Sequence, residues 1–253
     1  VADAVWEQVW VKDGTEVWRA TAPTGHRYVK VGSDGGPDGI AAEAARLAWL
    51  GRHAPAPSVL AHTTSADDGR GWLVTSAAPG VPAHDPRFRM TSVERLLDRL
   101  GEGLRHLHDT LPVAECPFDA RLDTLLSLSA ERVAAGLVDT ADLEPAYRGS
   151  SPAELLDHLH RSRPDEPPED LVVAHGDPCL PNLLVDPVSA ELVSVVDVGR
   201  LGVSDRYRDL GIIARSLVSN VGPEVASRFF DAYGVARPDL LRLEYYVLLD
   251  ELW

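Results

Sequence analysis

Val173-Ala174-His175-Gly176-Asp177-Pro178-Cys179-Leu180-Pro181-Asn182 runs an apolar strand straight into a histidine, a carboxylate and an amide. Fifteen residues after Asn182, Val195-Val196-Asp197-Val198-Gly199 repeats the form, with an apolar strand again ending on a carboxylate. Apolar strands have no reason to end in clustered polar groups unless something binds there. Phosphoryl transfer needs such a cluster. One carboxylate orients the attacking hydroxyl and accepts its proton, while an amide oxygen and a second carboxylate hold Mg2+ on the phosphates. Asp177 is then the candidate base, with Asn182 and Asp197 the candidate metal ligands. Two other readings stay open at this point. A lone His-x-Asp suits a core histidine beside a capping aspartate, and His175, Asp177 and Asp197 together suit a metal-dependent hydrolase. His175 itself reads as scaffolding for the loop.

Upstream, lysine usage is informative. Of 24 basic residues only Lys12 and Lys30 are lysine. A lysine kept in an apolar strand, Arg27-Tyr28-Val29-Lys30-Val31, suggests a task arginine cannot do. A strand lysine that seats ATP phosphates, positioned by a helix glutamate, is such a task, and Glu43 lies on the following predicted helix. Lys12 lies beside Asp13-Gly14 and reads as a solvated turn residue.

The chain divides around Ala77-Ala78-Pro79-Gly80-Val81-Pro82, whose small residues and two prolines predict an inter-lobe linker. Before it, alternating patterns predict strands at 5–10, 16–20, 28–31, 58–62 and 71–75, with a helix from Ile40 to Gly51. After it the pattern is mostly helical. Thr91 or Ser92 caps a predicted helix to Thr110, with Leu96, Leu97, Leu100, Leu104 and Leu107 at helical spacing. Further helices are expected at 120–136, 152–161, 205–219, 222–233 and 237–252. The expected organisation is a nucleotide-binding lobe over 1–76, a linker over 77–82 and a catalytic and substrate-binding lobe over 83–253.

The 253 residues suffice for one large or two small domains with a real core. A net charge of -15 argues against a nucleic-acid partner and favours a cationic ligand. Acidity concentrates in residues 131–170, with ten acidic and four basic side chains. No apolar run reaches bilayer length, and no signal peptide is evident, so a cytoplasmic protein without a membrane partner is expected. Cys116 and Cys179 make neither a disulfide scaffold nor a zinc pattern.

The step from Asp177 to Asn182 resembles the kinase catalytic loop H-R-D-x-x-x-x-N, and Asp197-Val198-Gly199 stands where D-F-G would. Gly176 in place of the kinase arginine resembles the aminoglycoside phosphotransferase and choline-kinase-like branch. Asp177 to Leu183, Asp197 to Leu210 and the terminal Tyr245-Tyr246-Val247-Leu248-Leu249-Asp250-Glu251-Leu252-Trp253 resemble aminoglycoside 3'-phosphotransferases, and the likeness spans nearly the whole chain. The resemblance implies an α+β, two-lobed protein-kinase-like fold: an N-terminal antiparallel sheet with one main helix, then a larger, mostly helical lobe. It implies ATP or GTP with Mg2+, and adenine contacts from the hinge, Thr75 and Ala77 among them. It also implies a cationic small-molecule substrate met by Asp142, Glu144, Arg215, Asp250, Glu251 and the carboxylate of Trp253, with phosphate delivered to a 3'-hydroxyl of an antibiotic. A monomer or weak dimer is expected. Leu180 stands where some family members carry an acid, which implies one missing substrate contact and a narrower drug range. No adenine-stacking aromatic is identified before the linker proline. Competing readings are the same fold acting on a streptomycin-type drug, amino alcohol or amino sugar, and a non-catalytic pseudokinase. The pseudokinase would be expected to lack a lysine, base or metal ligand that this chain retains.

Overall fold

The computed structural model describes residues 4–12, 14–91, 93–222 and 225–253. Strands β1 (Val5–Lys12), β2 (Thr15–Ala22) and β3 (Gly25–Ser33) precede helix α1 (Ile40–Leu50), and β4 (Val59–Thr64) and β5 (Arg70–Ser76) follow it. They form one antiparallel sheet in the order β1-β2-β3-β5-β4. Asp13, read as part of the first turn, lies outside the described residues. Helix α1 straddles two cores. Ile40 and Ala44 pack on Leu73 of β5, while Leu47, Trp49 and Leu50 join the main core of the rest of the chain. Arg46 fastens the same helix to the far side, donating from Nε to the Leu201 carbonyl at 2.8 Å. The helix that carries Glu43 is thus fixed to both halves of the molecule.

The segment after β5 ends in a short strand, β6 (Val81–Pro82), rather than in irregular chain. Beyond it come α2 (Pro86–Thr91), α3 (Val93–Thr110), α4 (Leu122–Ala134), α5 (Pro152–Arg161), β7 (Leu171–Ala174), β8 (Leu183–Val185), β9 (Leu192–Val195), β10 (Gly202–Asp205), α6 (Tyr207–Asn220), α7 (Ala226–Tyr233) and α8 (Leu240–Asp250). This is the two-lobed kinase-like architecture that the sequence led us to expect. The five leucines of α3 are all buried in the main core. Thr91 is the last residue of α2, and Ser92 lies outside the described residues. Helix α5 opens on a capping box. The Ser151 hydroxyl accepts the Glu154 N–H while the Glu154 carboxylate accepts the Ser151 N–H. Among the described residues no helix is long and apolar enough to cross a membrane.

Two small sheets shape the interior. Strand β8 lies between β6 and β9, and β10 pairs antiparallel with β7, Gly202 facing Ala174 and Val203 facing Val173. Strand β10 is not marked in the sequence pattern, which predicts a helix from 205, whereas α6 starts at Tyr207. Four residues give too short an alternation to stand out, and the strand exists because β7 offers it a partner.

Candidate active site

Strand β7 delivers the catalytic-loop candidates to the interior. Gly176 turns with φ of +89°, and a Cβ there would come within 2.4 Å of the Arg200 carbonyl. That close approach explains glycine at this position. Next, Asn182 donates from Nδ2 to Asp177 twice, to Oδ2 at 3.1 Å and to the carbonyl at 3.0 Å. The amide thereby fixes the carboxylate and keeps its own Oδ1 as the acceptor end. His175 is scaffolding: Nδ1 accepts the Asp177 N–H at 3.2 Å and Nε2 meets the Val196 carbonyl at 3.0 Å. A neutral imidazole protonated on Nε2 satisfies both contacts, leaving neither nitrogen for a metal.

Beneath the loop sits a residue to which the sequence reading gave no role. Asp209, on α6, is fully buried. Its Oδ2 accepts the His175 N–H at 2.7 Å and its Oδ1 accepts the Gly176 N–H at 2.8 Å. His108 Nε2 lies 3.0 Å from Oδ2, and His108 Nδ1 lies 2.7 Å from the Tyr233 hydroxyl. Burial alone would raise the Asp209 carboxyl, but the His108 hydrogen bond and charge outweigh it and hold the group below its ordinary value.

Lys30 joins the two halves of the site. Its Nζ lies 2.7 Å from Glu43 Oε2 and 2.8 Å from Asp197 Oδ1. Burial pulls the lysine down, yet Asp197 and Glu43 more than compensate and keep it well above the usual lysine value. Asp197 falls below its ordinary value because the Lys30 charge overcomes burial. Burial pushes Glu43 up, only partly offset by Lys30. Asp197 is also held at φ of +58°, a left-handed conformation that a non-glycine residue seldom adopts. Such strain gathers at functional sites because the surrounding structure has to enforce it.

These groups border a cleft of about 570 Å3 beneath β3. Its lining includes Lys30, Glu43, Asp177, Asn182 and Asp197, with apolar walls from Leu47, Leu73 and Leu184. Thr75, Ser76 and Ala78 lie on its edge; the expected Ala77 is not among the lining residues. Tyr28 also lines the cleft, two residues before Lys30 on the same face of β3. An aromatic on the cleft wall thus comes from β3 by strand alternation with Lys30, and not from the segment before the linker proline.

On the other side of Asp177 is a second cavity of about 610 Å3. Among the described residues, six side-chain carboxylates line it, those of Asp139, Asp142, Glu144, Asp177, Asp250 and Glu251, against three cations, Lys12, Arg200 and Arg215. The expected substrate residues Asp142, Glu144, Arg215, Asp250, Glu251 and Trp253 therefore all meet here. They are not equivalent. Asp250 has both oxygens engaged, one by Arg200 Nη1 at 2.8 Å and the other by Arg215. It anchors the wall and offers a ligand little. Glu251 accepts the Glu144 N–H at 2.8 Å and pairs with Arg215 at 3.2 Å. The guanidinium groups of Arg132 and Arg200 lie 5.4 and 5.6 Å from the Trp253 ring centre, and the Trp253 main-chain oxygen accepts from Arg132 at 2.9 Å. Lys12 corrects the sequence reading, because it is not simply solvated but paired with Asp142. Leu180, expected as a gap in the substrate contacts, is fully buried in the core and forms no part of the pocket wall.

Among the described residues no group of three or more His, Cys, Asp and Glu side chains is placed to hold a metal by itself. Asn182 and Asp197 instead offer an oxygen-only pair on the wall of the cleft. That donor set fits a hard cation shared with phosphate oxygens, as Mg2+ commonly is.

Known proteins share this architecture. The model of the phosphotransferase enzyme family matches residues 11–246. The chain is 43% identical over 221 residues to an aminoglycoside 3'-phosphotransferase of Streptomyces fradiae, covering 85% of this chain and 80% of the relative. The crystal structure of a type VIII aminoglycoside 3'-phosphotransferase superposes with a TM-score of 0.86 at 36% identity, covering 99% of this chain and 94% of that one. An aminoglycoside phosphotransferase from Streptomyces rimosus, solved with ADP and streptomycin, gives a TM-score of 0.82 at 30% identity, covering 98% and 92%.

Proposed function

This chain belongs to the phosphotransferase enzyme family, and from that premise we propose that it transfers the γ-phosphate of ATP to the 3'-hydroxyl of an aminoglycoside antibiotic, inactivating the drug and conferring resistance. The observation that carries the reading is the position of Asp177, which lines both the apolar cleft and the acidic pocket. A carboxylate on that shared wall can meet a hydroxyl from one side and a phosphate from the other.

The cleft suits the nucleotide. Tyr28 and the apolar walls accept the base, and the hinge residues Thr75 to Ala78 meet its edge. Lys30, held by Glu43, sets its ammonium on the phosphates. Asn182 and Asp197 would hold Mg2+, which when bound would supply positive charge to the phosphates. The pocket suits a polyamine sugar, since several carboxylates around a polycation add up where single exposed pairs contribute little. In the reaction the drug hydroxyl oxygen bonds to the γ-phosphorus as the bond to the bridging β–γ oxygen breaks. Asp177 orients that hydroxyl and takes its proton, and ADP leaves. We place the reaction in the cytoplasm, where ATP is supplied.

A second reading is favoured by one finding. The Streptomyces rimosus relative was solved with streptomycin bound, so a streptomycin-type substrate is the competitor. A coupled assay with Mg2+ and ATP separates the two on a panel of kanamycin, neomycin, ribostamycin, streptomycin and simple amino alcohols. ADP release dependent on kanamycin, neomycin or ribostamycin, with product phosphorylated at the 3' position by NMR, is expected. Turnover of streptomycin alone would move the substrate assignment, and no turnover with ATP bound would sink it. In Asp177→Ala, turnover is expected to fall by about 10²–10⁴-fold while ATP still binds; full activity in that variant would remove Asp177 from its role.

A further inference from the structure

The acidic pocket already holds an ammonium group. Lys12, the last residue of β1, reaches from the tip of the N-terminal hairpin to Asp142, in the segment between α4 and α5. The proposed reaction gives Lys12 no task, although the chain has only two lysines. The other two cations of the pocket are placed differently. Arg200 and Arg215 are part-buried and both fixed on Asp250. Lys12 and Asp142 keep side-chain exposures of 46% and 66%, so their pair is held by attraction and not by burial. Exposed pairs of this kind exchange partners at little cost. An ammonium on a flexible alkyl stem is also the same chemical group as a primary amine on a sugar, which a planar guanidinium is not.

We propose that Lys12 holds the place of a substrate ammonium at Asp142, and that an amine of the incoming aminoglycoside displaces it. This rests on the acidic pocket being the drug site. Lys12 is then a specificity-determining residue. A drug that carries an ammonium opposite Asp142 undoes the tie between hairpin and pocket, and one that lacks it leaves the pocket mouth strapped. Asp139 and Glu144 serve the other amines of the same ligand.

The test uses the full chain. At low ionic strength Lys12→Met is expected to lower KM for kanamycin by about two- to fivefold, the range of an exposed ion pair. The kcat and the KM for ATP stay within about twofold. Lys12→Arg keeps the charge and stays near wild type. In an Asp142→Asn background the added Lys12→Met gives no further gain, since both act through one pair. A kanamycin KM that Lys12→Met leaves unchanged or raises overturns the proposal, as does a gain that persists without Asp142. A raised KM for ATP would assign Lys12 to the phosphates and overturn it equally. A second readout does not need turnover. Protein labelled with 13C-lysine has two lysine side-chain signals, and Lys12→Met assigns them. Kanamycin should move the Lys12 signal to the position it has in Asp142→Asn. If the wild type phosphorylates no aminoglycoside, the substrate reading fails on its own. A Lys12 signal that Asp142→Asn does not move overturns the strap whatever the activity.

Discussion

In the cleft beneath β3 the charges are few and committed to one another, with Lys30 and Glu43 shielded and Asp197 47% exposed, whereas in the pocket beside α8 they are many and partly open to exchange. Lys30 and Glu43 have side-chain exposures of 19% and 9%, and Lys30 is pinned between two carboxylates. Across Asp177, the side chains of Asp142 and Glu144 are 66% and 39% exposed, and their cationic partners lie at the rim or at the long limit of 4.0 Å. The contrast matches the two ligands. A nucleotide presents the same phosphates every time, so preset groups in a shielded site stabilise the charge that develops on them. A family of drugs presents amines in varying places, and exposed carboxylates accommodate that variety at little cost for each contact.

If the two sides are independent in this way, disabling one should leave the other intact. Lys30→Met removes the preset ammonium and leaves Glu43 buried beside Asp197. We expect kcat/KM for ATP to fall by about 10²–10³-fold, the usual loss when one electrostatic stabiliser is deleted. Lys30→Arg should recover little of it, because a planar fork does not replace a compact ammonium between two carboxylates. Drug binding measured by calorimetry without nucleotide should stay within a few-fold of wild type. A comparable loss of drug affinity would mean that the sides are not separable.

Asp209 tests the part they hold in common. It touches neither cavity, yet it accepts the N–H groups of His175 and Gly176 and so sets the position of Asp177. Asp209→Asn keeps the size but turns one acceptor oxygen into a donor that faces an N–H. We expect kcat to fall by about 10–100-fold, in line with the cost of a small misplacement of reacting groups. The KM values for both substrates should change much less. Because Asp209 is fully buried, thermal unfolding should also show a clear loss of stability. Loss of stability with kcat unchanged would reduce Asp209 to a structural residue.

The legibility of these regions in the sequence follows how local each one is. The catalytic loop and the metal-ligand candidates could be read because each is a strand running directly into its functional residues, and the α3 leucines because their spacing is helical. Lys30 and Glu43 lie 13 positions apart and come together through a strand–helix order that the pattern also showed. Asp209 was not legible as a support. It meets Gly176 across 33 residues of chain, and nothing in its own neighbourhood marks it. Lys12 looked like a turn residue because its partner, Asp142, is 130 residues away. Strand β10 depends in the same way on β7. The charge of the 131–170 segment was visible, but not that Asp250 is neutralised by two arginines while Asp142 and Glu144 stay more open. Local pattern identifies the groups that do chemistry, and long-range pairing decides which of them are available.

Glu251 offers the finest separation of cleft from pocket, through pH. Burial raises its carboxyl above the ordinary glutamate value of 4.5, ahead of the opposing hydrogen bond from the Glu144 N–H and the charge of Arg215. Its proton therefore returns at a higher pH than an exposed glutamate would allow, and the pocket loses a negative charge there. On acidification, kcat/KM for the drug should drop by about two- to fivefold through that raised range, the worth of one modest ion pair. The KM for ATP should not follow. Glu251→Gln mimics the protonated form, so it should start at the reduced value and lack this step. Unfolding through this group cannot imitate the effect. A carboxyl that binds its proton more tightly in the folded chain gains stability as pH falls through the interval between its unfolded and folded values, so its contribution to stability moves opposite to the predicted activity. A step that survives in Glu251→Gln, or that appears equally in the KM for ATP, would assign the titration to the cleft or to Asp177 instead.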